Sequence, residues 1–236
     1  MKRNLFIALL SVMMVLISCD GKRGNNGGTG NGGGNTEPDL PDTNTELTDT
    51  EMRVSGTWKA GSEINLDRHL VIPEGESLTI EQGTKIIVST AGVGVNHTPI
   101  EIIVKGNLYV YGSAEHPVLF SVEESERTES NIFAGLWGGI VAAESCSEMV
   151  IDNAIIEYTG GQVIEGSPAA TAGIYTAGDD AYPHITTTNI NGKYVITNSI
   201  LRYGWSDGIY LMGGSAIISN NTFAANGYDG AEAVNI

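Results

Sequence analysis

From residue 51 onward, short apolar runs recur between polar breaks. They lie at 69–72, 77–80, 85–88, 101–104, 107–110, 117–120, 154–158, 194–196 and 216–218. Most are four or five positions long and rich in Val and Ile, and turn residues bound them, as in Pro73-Glu74-Gly75 and Gly112-Ser113. No stretch carries apolar positions at a helical period. The pattern predicts an all-β domain over 51–236: a sandwich, a barrel or a solenoid.

Internal similarity selects the solenoid. Val195-Ile196-Thr197-Asn198-Ser199-Ile200-Leu201 aligns with Ile217-Ile218-Ser219-Asn220-Asn221-Thr222-Phe223, and the same offset carries Asp207-Gly208 onto Asp229-Gly230. An earlier copy runs from Val150 to Ile156, about twice that offset before the Val195 copy. A repeat of about 22 residues suits one coil of a parallel β-helix, with coils stacked at about 4.8 Å. Asn153, Asn198 and Asn220 then share one repeat position, where stacked amides are expected to bond along the axis as a structural ladder.

The front half carries Leu78-Thr79-Ile80-Glu81-Gln82-Gly83-Thr84, Ile103-Val104-Lys105-Gly106-Asn107-Leu108, Pro117-Val118-Leu119-Phe120 and Leu136-Trp137-Gly138-Gly139-Ile140. In this order they resemble right-handed parallel β-helix proteins of the pectin-lyase-like architecture, found among bacterial surface and secreted proteins. The resemblance spans roughly residues 54 to 236. It implies the fold and leaves open a role in binding or in polysaccharide cleavage. Two interruptions, the acidic 121–134 and the Gly/Ala/Thr-rich 160–192, are expected to form loops on one flank, where solenoids often carry binding. Residues 231–236 read as the opening of a further coil without a polar cap, so the chain is expected to be part of a longer β-helix.

The segment before position 51 reads differently. Lys2 and Arg3 precede an unbroken apolar run from Leu5 to Ile17, too short to span a bilayer. The run closes on Leu16-Ile17-Ser18-Cys19, which resembles the lipobox of bacterial lipoproteins. That resemblance implies a signal peptide over 1–18, acylation of Cys19 and anchoring outside the cytoplasm, with the outer membrane or cell surface favoured. More than half of the positions from Gly21 to Gly34 are glycine, so 19–50 is expected to be a flexible tether. Gly28-Thr29-Gly30-Asn31-Gly32-Gly33 matches a dinucleotide fingerprint, but no strand precedes it and no helix follows.

Charge narrows the partners. The chain carries 28 acidic and 12 basic residues, a net charge of −16. That balance argues against nucleic acid, and an acidic polymer would be repelled unless calcium intervened. If Cys19 carries lipid, Cys146 has no disulfide partner; its acidic neighbours argue for a structural thiol. No catalytic residue is assigned. Asp179-Asp180, His184, Lys193, Arg202, Asp207 and Asp229 are the candidates; Asp179-Asp180 matches the Asp-Asp pair of polygalacturonase-like enzymes, but their His-Gly and Arg-x-Lys are absent. No histidine spacing marks a metal site. Asp207 and Asp229, one coil apart, would suit Ca²⁺, although Asp-Gly also simply makes a turn. With Tyr203, Trp205 and Tyr228 they form the candidate ligand face. The expected function is a membrane-anchored binding or adhesion module for carbohydrate or a protein partner. The alternative is a β-helix polysaccharide lyase or glycoside hydrolase.

Overall fold

The computed structural model describes residues 43–234. The expected signal peptide, Cys19 and the glycine-rich stretch lie outside the described residues. Within them, strands come in triplets, and each member of a triplet pairs in parallel with its counterpart one coil away. The first ladder holds Ser77–Glu81, Asn107–Tyr111, Glu148–Asp152, Lys193–Thr197 and Ser215–Ser219. The second holds Glu63–Leu66, Lys85–Val88, Val118–Val122, Ala154–Glu157, Ile200–Gly204 and Thr222–Asn226. The third holds His69–Ile72, Ile102–Val104, Ile140–Ala142, Ile185–Thr187, Ile209–Leu211 and Ala231–Ala233. Strand Glu51–Trp58 belongs to two ladders: its first half pairs with His69–Ile72 and its second with Ser77–Glu81. The chain is a parallel β-helix.

Why these residues stack is visible in the interior. Leu70, Ile102, Ile140, Ile185 and Ile209 are register partners in the third ladder, and all are buried. Ile80, Val110, Ile151 and Ile196 form a second such row. Each such side chain contributes about 1.5–3 kcal/mol on leaving water, and coils above and below cover it together.

The spacing that links the Val195 and Ile217 copies is that of a coil without a long insertion. It holds between Tyr194 and Ala216, whereas Met149 pairs with Tyr194 across about twice that distance in sequence. The extra length is loop. Glu123 to Gly135 contains two short 3-10 turns, Glu124–Glu126 and Glu129–Asn131. The next insertion carries one helical turn, Pro168–Thr171. It is shorter than the sequence suggests, because Ile185–Thr187 is a fully buried strand of the third ladder. Its Thr-rich sequence hides it. The expected tether also ends early, because Thr43–Leu47 pairs antiparallel with Glu51–Trp58.

Asn153, Asn198 and Asn220 do share one position, but the reason differs from an amide ladder. All three have φ between 52° and 57°, a left-handed conformation that Asn tolerates better than most residues. Their amides do not bond to one another; Asn198 Nδ2 donates to Asp152 Oδ1 at 2.7 Å. The side-chain ladder runs one residue later. The Ala154 amide donates to Ser199 Oγ at 3.0 Å, and the Ser199 amide donates to Asn221 Oδ1 at 2.9 Å.

Candidate functional site

The edge that follows the second ladder collects most of the expected ligand face. Gly160, Trp205 and Gly227 occupy one repeat position in successive coils. A Cβ on Gly160 would lie 2.4 Å from the Trp205 amide nitrogen, and one on Gly227 would lie 2.0 Å from its carbonyl oxygen. The tryptophan backbone is therefore held between two glycines, and its indole stands out alone, 49% exposed. Both insertions converge on it. One recess, of about 400 Å³, is lined by Phe133 from the first insertion, Asp179 and Asp180 from the second, and Trp205. A neighbouring recess of about 370 Å³ shares Asp179, Asp180 and Trp205 and adds Asp207, Tyr210 and Tyr228. Phe133 and Tyr228 are exposed as well. Phe133 has no counterpart in the repeat, so the sequence offers no signal for it beyond its place in an insertion.

The carboxylates divide by role. Asp180 Oδ2 accepts the Thr176 amide at 2.6 Å and shapes its own loop. Asp207 Oδ1 accepts the Asp229 amide at 2.8 Å, joining adjacent coils. Burial, with the Asp229 charge beside it, pushes the Asp207 carboxyl above the usual range. Oxygens of Asp207, Asp229 and Glu232 lie within 4.8 Å of one another, a donor set that would suit a hard cation.

Other sequence candidates are placed elsewhere. Tyr203 leaves the face: its φ of 62° breaks the strand alternation, and its ring packs on Tyr158 with a centroid distance of 5.3 Å. Arg202 lies over the Tyr203 ring and pairs with the buried Glu157 at 2.8 Å. His184 is fully enclosed, with Nδ1 2.8 Å from Thr159 Oγ1 and Nε2 3.0 Å from Asn226 Oδ1. Burial lowers its pKa to about 4, so it is a neutral structural link. Burial pushes the enclosed Cys146 thiol up to about 11, leaving a poor nucleophile.

A second feature went unread in the sequence. A cleft of about 630 Å³ lies over the outer side of the third ladder. Below it sits Glu101, fully buried, with no cation paired to it among the described residues. Tyr182 OH donates to Glu101 Oε1, and the Ala169 amide donates to Oε2 at 3.1 Å. Burial raises this carboxyl to about 7. Its own amide donates to His69 Nδ1 at 3.1 Å.

Residues 50–153 match the family described as pectate-lyase like beta helix domain. This stretch takes in the first coils and stops before Trp205 and Asp207. No curated protein and no solved structure matches the chain. The likeness to that family supports the β-helix and, at most, a carbohydrate-related role. It lends no residue of the Trp205 face a function.

Proposed function

We propose that the protein is an extracytoplasmic lipoprotein, anchored through Cys19, that binds carbohydrate on the face around Trp205. One observation carries the reading: two insertions and two coils bring Phe133, Trp205 and Tyr228 beside Asp179, Asp180 and Asp207. Flat aromatic surfaces flanked by hydrogen-bond acceptors suit a sugar, which has an apolar face and a rim of hydroxyls. A neutral glycan fits best, since the excess of acidic over basic residues from position 51 onward repels an anionic one. Calcium at Asp207, Asp229 and Glu232 would change that balance, so the ion belongs in the test.

The same carboxylates keep a lyase or hydrolase as the second reading, and one experiment separates the two. The full chain is screened on a glycan array with and without Ca²⁺, and products are analysed for every glycan bound. Binding without cleavage, weakened about tenfold or more by Trp205→Ala, is the expected result. Shortened or unsaturated products would replace the binding reading with an enzyme, and silence on the array would turn the search to a protein partner. Anchoring is tested separately: Cys19→Ala should release the protein from membranes or leave it unprocessed, and unchanged membrane fractionation would refute the lipid anchor.

A further inference from the structure

The cleft over Glu101 shares the second insertion with the Trp205 face, with Ile174 lining both, but its floor belongs to earlier coils. Segment 93–98 makes one wall, and the helical turn Pro168–Thr171 with Ile174 makes the other. Ile103 and Val141, register partners in the third ladder, form an apolar floor. About 630 Å³ is the room a small molecule needs.

Four ionisable side chains line the cleft: Glu51, His69, Glu101 and Lys105. They are not mixed. Glu51, His69 and Glu101 share one row of the sheet, because Glu51 pairs with His69 and Leu70 pairs with Ile102. Lys105 lies four positions along the strand from Glu101, about 13 Å away.

The polar end is specific. His69 is 4% exposed, and its Nδ1 accepts the Glu101 amide, which fixes the ring proton on Nε2. That Nε2–H has no partner among the described residues. It is not sealed off either, since the Tyr194 hydroxyl is the one enclosed side-chain polar atom without a hydrogen bond among them. Burial lowers the His69 pKa to about 4, so the ring is a neutral donor facing the cleft. An anion at this end would meet Glu51 and the Glu101 carboxyl, whereas a hydroxyl or carbonyl oxygen would not be repelled. The other end is the reverse. Lys105 makes no ion pair within the described residues, in a chain where acids outnumber bases by more than two to one.

We propose that this cleft is a second binding site, for a small amphipathic carboxylate. Its anion pairs with Lys105, its apolar body lies on Ile103 and Val141, and a neutral oxygen at its far end accepts from His69. ω-Hydroxydecanoate has both groups at about the required separation. Decanoate lacks the far oxygen, and decanediol lacks the charge.

Calorimetry on the full chain carrying Cys19→Ala, which removes any competing lipid, tests the assignment. ω-Hydroxydecanoate should bind more tightly than either comparison compound. Lys105→Met should weaken both acids about tenfold and leave the diol unchanged, and Lys105→Arg should restore the acids. Thr171→Trp, a change at an exposed rim position, should block all three. Trp205→Ala should leave all three unaffected, which separates this site from the glycan face. No binding by any of the three compounds, or acid binding that Lys105→Met leaves unchanged, would overturn the proposal.

Discussion

Two glutamates on the outside of the coil show how much the neighbours of a carboxylate decide. Both are almost fully enclosed. Glu157 has Arg202 at 2.8 Å on one oxygen and the Ser121 hydroxyl at 2.7 Å on the other. Its charge is met by a charge, and the stacked coils supply both partners at fixed register. Glu101 has no cation beside it among the described residues. A phenol and one backbone amide satisfy its oxygens, and both come from the long insertion. The first site is closed and structural. The second holds a proton far more tightly than glutamate ordinarily does, and it lies beneath an open cleft. A lone buried carboxylate with a raised pKa is the kind of group from which binding and catalytic sites are built.

That contrast can be broken from either side. The largest effect is expected from Arg202→Met, which leaves Glu157 buried and unpaired. Denaturant unfolding should show a loss of about 3 kcal/mol, the low end for a broken buried pair because the guanidinium is partly exposed. Adding Glu157→Gln should recover much of it. The next effect is on pH dependence. The folded protein holds the Glu101 proton up to about pH 7, against an ordinary value of 4.5. The contribution of this group is therefore complete below about pH 4.5 and is lost as the pH rises to about 7. It amounts to about 3 kcal/mol. In Glu101→Gln that component should vanish, so stability measured from about pH 5 to 8 should fall less steeply than in the parent protein. If the two profiles run parallel, Glu101 is not the titrating group. The smallest effect is Tyr182→Phe. It removes a hydrogen bond that favours the charged form, and should cost about 1–2 kcal/mol at pH 8 and less at pH 5.

The sequence exposed the regular coils because their inner positions are aliphatic and their outer ones are not. His69–Ile72, Ser77–Glu81 and Lys85–Val88 stand where the apolar runs stand. Ile185–Thr187 escaped because two of its three buried residues are threonines. The repeat offset placed Asp207 beside Asp229 correctly. It failed for Tyr203, where a left-handed residue turns the side chain to another flank. Glu101 was invisible for a different reason. In Pro99-Ile100-Glu101-Ile102 it alternates with aliphatics like any solvent-facing residue. What buries it is a helical turn far along the chain, at Ala169, and no local pattern reports a fold-back of that range.

The turn ladder has a consequence for how such a chain comes into being. The Ala154 amide is satisfied by Ser199 of the coil that follows it, and the Ser199 amide by Asn221 of the one after. In both cases the debt is settled by a successor in the sequence. A chain emerging from its amino end can lay down the strands of a coil at once, yet those turns close only when the next coil arrives. Growth becomes a ratchet: the newest layer stays provisional, and each arrival locks the one beneath it.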